Sequence, residues 1–225
     1  MPVGLEMQKT VHGSLTVPEG IALDEEALSK GQIQVQVARC KTLTLSLGVA
    51  QSLGSTEARK AREMRIPVYR RTSGGTGLLH CPGDIFWSIV LPRTPDLVGR
   101  DFIHRYSRFG AGWIEFLTKR KVSASWDKAP DGFPSYCLFS GRGEVLATGG
   151  KVLGGASQHV TAKALLHHGA VACALDPAAM QKVFDMPEDL VRRLTSLGGE
   201  GVSLGDGDLE ELAECLLQTV TGNQG

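Results

Sequence analysis

The segment RRTSGGTGLLHCPGD, Arg70 to Asp84, places four glycines beside two arginines and a histidine. Glycine allows backbone conformations and close approaches that other residues do not, and successive amides in such a loop can face an anion. Arg70 and Arg71 stand directly before the glycines, where guanidinium groups suit a carboxylate or a phosphate. The segment therefore predicts an anion-binding loop, although a tight surface hairpin would use the same glycines.

Two common phosphate-binding motifs do not fit this loop. No Gly-Lys-Ser/Thr follows the glycines, so the loop is not a P-loop. The glycine spacing also differs from a dinucleotide fingerprint, and no helix is predicted to open directly after it. The anion that this loop would hold is therefore left open by the motif itself.

A second glycine-rich segment, TGGKVLGGASQH, runs from Thr148 to His159. Lys151 stands between two glycine pairs, so its ammonium group could reach into a site over bare backbone, or it could be a solvated turn lysine. Cys137 lies fourteen residues earlier, and a nearby ammonium would stabilise its thiolate. A small buried hydrophobic residue is the alternative interpretation of this cysteine.

Patterns on both sides of the two segments predict an α+β fold. Alternating residues over 32–38 and 43–47 predict two neighbouring strands, and further strands are expected in DIFWSIVLPR, SYCLFS, GEVLATGGKVLGG and ALLHHGAVAC. Helices are expected over residues 18–31, 55–64, 94–121, 185–198 and 206–220. We expect one domain over residues 1–225, without a C-terminal accessory domain, in which a mixed, mostly antiparallel sheet is flanked by helices.

Composition excludes several classes of function. The chain has 225 residues with 24 basic and 24 acidic side chains, so it has no overall positive field for nucleic acid or anionic membrane. No apolar run is long enough to span a bilayer. Five widely spaced cysteines without a Cys-x-x-Cys pair do not indicate a disulfide framework or a zinc site. We therefore expect a cytoplasmic protein with free thiols and no metal site.

Three segments in order carry a resemblance to a known family. RRTSGGTGLLH, GGKVLGGASQ and LLHHGAV together resemble the biotin/lipoate A/B protein ligase and lipoyl (octanoyl) transferase superfamily. GIALDEEAL, LTLSLGVAQ and RRLTSLG are similar to further segments of that family, so the resemblance covers roughly residues 20–217. The family fold agrees with the α+β architecture expected from the patterns.

Within the superfamily, the sequence looks closest to the cysteine-dependent octanoyltransferase and lipoyl amidotransferase branch. The resemblance implies Cys137 as the nucleophile and Lys151 as its catalytic partner. In a second branch the cysteine follows the lysine, which makes Cys173 the alternative nucleophile. The resemblance further implies that substrate is bound by Arg70, Arg71, Ser73, Gly74, Gly75, Gly77, His80, Gly154, Gly155, Ala156 and His168.

The resemblance implies an acyltransferase that moves an octanoyl or lipoyl group through a cysteine thioester onto a lysine. The donor would be octanoyl-acyl carrier protein or a lipoylated domain, and the acceptor a lipoyl domain or a glycine-cleavage H-type protein; no cofactor would be required. An ATP- and magnesium-dependent lipoate-protein ligase, acting through an acyl-adenylate, is the first alternative. A non-catalytic protein that binds acyl groups or carrier domains is the second.

Overall fold

The computed structural model describes residues 7–98, 102–127 and 145–222. Ten strands are described in these ranges: β1 Met7–Leu15, β2 Ile33–Cys40, β3 Thr44–Leu47, β4 Val68–Arg70, β5 Leu78–His80, β6 Ile85–Pro92, β7 Ala124–Asp127, β8 Val145–Thr148, β9 Lys151–Val160 and β10 Ala164–Val171. The described helices are α1 Val17–Lys30, α2 Thr56–Glu63, α3 Pro95–Val98, α4 Phe102–Lys119, α5 Pro177–Phe184, α6 Glu188–Val191 and α7 Asp206–Thr221.

The strands form two sheets. The larger has seven strands in the order β1-β2-β6-β10-β9-β8-β7, and the smaller has the order β4-β3-β5. In the larger sheet β1 runs parallel to β2, and every other neighbouring pair is antiparallel. The expected α+β fold with a mixed, mostly antiparallel sheet is therefore confirmed.

Helices cover the large sheet on both faces. The long helices α4 and α7 pack against each other and against one face, where Phe109, Trp113 and Leu216 are fully buried with strand residues such as Ile89. On the opposite face α1 lies over β6 and β10, and the small sheet packs with α2, α5 and α6 in a second core. The space between α1 and the small sheet is where the candidate site lies.

Helix α1 has clear start and stop signals. Glu19 accepts hydrogen bonds from the Thr16 amide at 2.7 Å and the Thr16 hydroxyl at 2.8 Å, which caps the first turn. Gly31 ends the helix in the left-handed conformation with φ of +61°. Between them, Ala27 and Leu28 pack on the sheet, and the same buried side presents Asp24.

Several elements differ from the sequence-based expectations. The two alternating runs do not pair with each other, because β2 joins the large sheet whereas β3 pairs with β4 and β5. Alternation reports a half-buried strand but not its partner. Strand β1 was not expected, since its polar residues mask a weak alternation at the parallel edge of the sheet.

The helical predictions need two corrections. Within 185–198 only the short α6 is helical, and the preceding helix α5 was missed, because Pro177 opens a helix that Asp176 caps. The predicted helix over 94–121 is described as two elements, α3 and α4. The predicted strand SYCLFS lies outside the described residues. No helix in the described ranges is long and apolar enough to cross a bilayer.

Candidate functional site

A cavity of about 120 Å³ lies between α1, the centre of the large sheet and the glycine loop of residues 74–77. Its walls are mainly apolar and include Leu23, Ala38, Leu78 and Phe86. Arg71 lines the cavity on the side of the glycine loop. An apolar slot with one cationic side suits a ligand that has an apolar body and an anionic head.

The glycine loop wraps around the Arg71 guanidinium. Nη2 of Arg71 donates hydrogen bonds to the carbonyl oxygens of Gly74 at 2.7 Å and Thr76 at 2.9 Å. Gly75 between them has φ of +82°, a conformation that favours glycine. Gly48, directly after β3, approaches so closely that a Cβ there would lie 2.0 Å from the carbonyl oxygen of Gly75. The loop therefore depends on two glycines for its shape and on one arginine for its order.

Arg71 forms no ion pair with an acidic side chain in the described ranges. Besides the loop carbonyls, its guanidinium donates to the Ser46 carbonyl oxygen at 3.3 Å and the Ser73 hydroxyl at 3.0 Å, all neutral groups. Burial lowers the pKa of Arg71 to about 10, so the side chain remains protonated at neutral pH. A half-buried cation whose hydrogen-bond partners are all neutral attracts an anion.

Three side chains from distant parts of the chain form a hydrogen-bonded series. Nδ1 of His168 on β10 lies 2.6 Å from Oδ2 of Asp24 on α1, and Nε2 of His168 lies 2.6 Å from Oγ of Ser73. His168 and Asp24 each have 13% of their side-chain surface exposed, so the pair is largely shielded from water. Helix α1 thus fixes a residue that lies 144 positions later in the chain.

The donors around Ser73 assign the protons in this series. Oγ of Ser73 accepts from Nε of Arg71 at 3.0 Å and from Oγ of Ser157 at 2.7 Å. Both lone pairs of the hydroxyl are then used, so its own proton is donated to Nε2 of His168. Nδ1 of His168 consequently carries the ring proton and donates it to Asp24. Ser73 is fully buried, so this series resembles a serine–histidine–aspartate triad without offering an accessible nucleophile.

His80 also lines the cavity and is held as a neutral ring. Its Nε2 lies 2.9 Å from the hydroxyl of Ser46, and its ring meets Phe86 edge-on at 4.8 Å. Burial first, and then the charge of Arg71, lowers the pKa of His80 to about 3. His80 therefore contributes shape and a hydrogen bond, whereas Arg71 contributes the positive charge.

A row of four polar side chains crosses the cavity floor. Gln36 on β2 is paired with Ser88 on β6, and Ser88 is paired with His168 on β10. His168 is paired in turn with Ser157 on β9. Since directly paired residues point to the same face of a sheet, these four side chains form one continuous line, which we call the polar row.

Six of the residues implied by the resemblance line the cavity: Arg71, Gly75, His80, Gly155, Ala156 and His168. Ser73 stands behind them, in contact with Arg71 and His168. The others in the described ranges, Arg70, Gly74, Gly77, Gly154 and Lys151, are not among its lining residues. Arg70 is exposed on β4 at the edge of the small sheet.

Lys151 lies within the described residues, outside the lining of the cavity. Lys151 is exposed and begins β9, directly after the turn formed by Gly149 and Gly150. At the usual rise of a strand, its Cα lies about 13 Å from that of Gly155, the first β9 residue that lines the cavity. Cys137 lies outside the described residues, so the pairing of these two side chains stays a prediction.

The alternative nucleophile Cys173 has an environment that suppresses the thiolate. Burial first, and then the nearby Asp84 carboxylate, raises the pKa of Cys173 to about 12. Cys40 and Cys81 have pKa values raised to about 12 for the same two main reasons. Asp84 itself is buried, accepts hydrogen bonds from the amides of Cys81 and Cys173, and has its pKa raised to about 7 by burial. None of these thiols lines the main cavity.

Sequence reasoning missed several residues of the site: Asp24, Gln36, Ser46, Ser88 and Ser157. Two of them carried a usable signal. Asp24 lies three residues after Ile21 and four before Leu28, which places a carboxylate on the apolar side of α1. Ser157 follows Gly155 by two residues in β9, so both face the cavity. Across the part of the chain that the structure describes, no cluster of three metal-binding side chains occurs.

Comparisons with known proteins identify the family. A protein-family model described as lipoyl protein ligase A/B catalytic domain matches residues 30–220. Comparison with curated protein sequences finds no significant match.

Several solved structures share the fold. A lipoate-protein ligase A bound with ATP aligns with a TM-score of 0.75 and 16% identity over 97% of this chain and 85% of that one. A putative lipoate protein ligase from T. acidophilum with bound lipoic acid aligns at 0.73 and 16%, over 97% and 85%. The bi-partite lipoate protein ligase from Thermoplasma acidophilum, described with its E2 lipoyl domain, aligns at 0.70 and 15%, over 96% and 84%.

Proposed function

Because this chain belongs to the lipoyl protein ligase A/B catalytic domain family, we propose that it attaches a medium-chain acyl group of the lipoyl type to a lysine of an acceptor domain. We propose further that it does so as an ATP-dependent ligase acting on a free carboxylic acid. The observation that carries this proposal is the half-buried Arg71 guanidinium, which borders a mainly apolar cavity and has only neutral hydrogen-bond partners in the described ranges.

The cavity offers separate places for the two ends of such an acid. The carboxylate would meet Arg71 beside the glycine loop, where a charge-assisted hydrogen bond is strongest. The hydrocarbon would lie against Leu23, Ala38 and Phe86. Burying six or seven methylenes at ~0.8 kcal/mol each supplies about 5 kcal/mol of binding free energy.

Two glycine segments outside the cavity lining also suit a polyphosphate. Gly74, and the turn of Gly149 and Gly150, have open space where a Cβ would stand, so their backbone is free for close approach. Lys151 follows that turn and, like Arg71, has no ion-pair partner in the described ranges. The carboxylate would displace pyrophosphate from ATP to give an acyl-adenylate, from which the acceptor lysine would then displace AMP. Magnesium would arrive on the phosphates, because the described residues provide no acidic cluster of their own.

His168 and Ser73 would position the ligand rather than attack it. Ser73 is fully buried, and its proton is committed to Nε2 of His168. The series from Asp24 to Ser73 keeps the His168 ring in one tautomer and one orientation against the cavity. The nucleophile would be a lysine of the acceptor. We infer that this acceptor is a lipoyl domain, because one of the similar structures is described with its E2 lipoyl domain.

The cysteine-dependent transferase is retained as a second candidate because of the sequence around Cys137. It would need octanoyl-acyl carrier protein or a lipoylated domain as the acyl donor, and no ATP. The raised pKa values of Cys40, Cys81 and Cys173 weigh against those thiols as substitutes. The two candidates therefore differ in the need for Cys137, in the acyl donor and in the need for ATP, so a single assay can separate them.

The test is intact-mass measurement of a lipoyl domain after incubation with the protein. We expect the domain to gain one octanoyl or lipoyl mass with free acid and ATP, and Cys137→Ser to retain this activity. Gain of mass from octanoyl-acyl carrier protein without ATP, abolished by Cys137→Ser, would contradict the ligase and establish the transferase. No gain of mass under either condition would support the non-catalytic binding protein.

A pair of arginine variants tests the role of the anion site. Arg71→Met should weaken binding of octanoate at least about tenfold, because a charge-assisted hydrogen bond contributes roughly 1.5–3 kcal/mol. Arg59→Met is the matched control, because it removes an exposed guanidinium on α2 that donates a hydrogen bond to Thr56. Isothermal titration calorimetry, with thermal unfolding of each variant, separates lost binding from lost folding. Equal octanoate affinity in both variants would refute the role of Arg71.

A further inference from the structure

The polar row contains two side chains whose hydrogen-bonding capacity is unused. Gln36 is 6% exposed and Ser88 is 3% exposed, and both line the cavity. Oε1 of Gln36 is 3.2 Å from Nε2 of His12, but Nε2 of Gln36 and Oγ of Ser88 have no hydrogen-bond partner within residues 7–98, 102–127 and 145–222. A buried polar group without a partner costs about 1–3 kcal/mol, so such groups at a ligand cavity point to a ligand that satisfies them.

The unpaired groups of Gln36 and Ser88 lie where the far end of a bound acid would be. Ser157 and His168 form the end of the polar row nearest Arg71 and Ser73. At the usual spacing of strands, Ser88 is about 10 Å from Ser157 along the row, and Gln36 is about 14 Å away. An extended chain of eight carbons measures roughly 9 Å, given C–C bonds of about 1.5 Å in a zigzag. The last carbon would therefore lie near Ser88 and Gln36.

Outside the polar row the cavity lining is mainly apolar, which limits what the middle of the ligand can be. It includes Leu23, Ala38 and Phe86. Polar atoms in the middle of the chain would lose hydrogen bonds to water without replacement. The cavity therefore matches a ligand with a polar atom at each end and hydrocarbon between them.

On the basis of the proposed function, we propose that the cavity selects a medium-chain acyl group that carries an oxygen at its distal end. A hydroxyl or carbonyl oxygen there would accept a hydrogen bond from Nε2 of Gln36, and Ser88 can donate to it or accept from a hydroxyl. His12 would hold the Gln36 amide through Oε1. A plain octanoyl group would leave both polar groups unsatisfied, so the cavity disfavours it.

The test compares 8-hydroxyoctanoate with octanoate by isothermal titration calorimetry on the full chain. We expect 8-hydroxyoctanoate to bind about tenfold more tightly, because it satisfies groups that octanoate leaves unpaired. Octanoate binding as tightly as, or more tightly than, the hydroxy acid would overturn this inference while leaving the proposed ligase activity intact. Failure of the lipoyl domain to gain mass with any acid would instead count against the proposed function.

Variants locate the preference within the polar row. Gln36→Leu and Ser88→Ala should each reduce the tenfold preference, and the double variant should bind octanoate at least as tightly as the wild type. Gln34→Leu makes the same change two residues earlier on β2, at a position that does not line the cavity, and should keep the preference. Retention of the full preference in the double variant would overturn the assignment. Thermal unfolding checks that each variant is folded.

Discussion

Replacing Asp24 by asparagine tests whether the buried hydrogen-bonded series holds the site together. The carboxylate accepts from Nδ1 of His168 at 2.6 Å, and both side chains are 13% exposed. With asparagine, the charge-assisted bond becomes a neutral one. Alternatively, the new NH₂ group donates to Nδ1, in which case the His168 ring proton moves to Nε2 and faces a Ser73 hydroxyl that already accepts two hydrogen bonds.

The expected loss follows from these contacts. A hydrogen bond to a charged group contributes roughly 1.5–3 kcal/mol, and the neutral replacement returns only part of that. We expect Asp24→Asn to lose about 2 kcal/mol of unfolding free energy, which lowers the melting temperature by roughly 4–8 °C in a domain of this size. The ring tautomer of His168 is read from its two nitrogen chemical shifts by NMR.

Glu25→Gln is the matched control, because Glu25 is the next residue of α1 and is exposed. It should change the unfolding free energy by less than about 0.5 kcal/mol. If urea denaturation gives Asp24→Asn the same stability as Glu25→Gln, and the His168 ring keeps the proton on Nδ1 with unchanged shifts, the reasoning about the series is refuted.

Two further perturbations follow from the buried core and the loop. Burial lowers the pKa of His167 to about 3 from its ordinary value of 6.5, so its unfolded form binds a proton that the folded form refuses. The stability that the neutral His167 ring contributes is therefore complete above pH 6.5 and falls as the pH decreases toward 3. His167→Phe should remove about 2 kcal/mol of the loss of unfolding free energy between pH 6.5 and pH 5. Urea denaturation at both pH values measures this loss. An identical pH slope in variant and wild type would contradict this. Gly48→Ala should destabilise the fold by more than about 2 kcal/mol and weaken octanoate binding, because the new Cβ would overlap the Gly75 carbonyl. Gly13→Ala is the control, because a Cβ at Gly13 meets no atom within 4 Å and should change neither stability nor octanoate binding. Wild-type melting temperature and affinity in Gly48→Ala would show that the loop moves away at little cost.

The sequence predicted the fold class because its main signals are local. Alternation over 32–38 and the capping signals around Pro18 and Gly31 depend on neighbouring residues, and both elements are present as β2 and α1. The pairing of β3 with β4 and β5 was not predictable in this way, since the partner of a strand is decided by packing across the whole chain.

The sequence predicted the glycine loop of the candidate site and one residue of the polar row on its floor, His168, but not the other three. Arg71 and His80 belong to a compact motif, so their convergence on the cavity could be expected from sequence. Gln36 and Ser88 lie in separate strands and come together only through sheet register, for which no motif exists. Asp24 had a signal, a carboxylate on an apolar helix side, but its partner lay too far along the chain to be named.

The pairing of four strands decides which ligand the cavity prefers, because this pairing aligns the side chains of the polar row. Each of its side chains comes from a different strand, held by an interstrand ladder that also organises the α4 and α7 core on the opposite face. If the pairing of any of these strands shifted by one residue, its cavity residues and core residues would exchange places. Such a shift would unfold the core, so the selectivity cannot change by a shift of register. Evolution or design can therefore change which acid is preferred by replacing single side chains of the polar row, while the pairing of the strands stays the same.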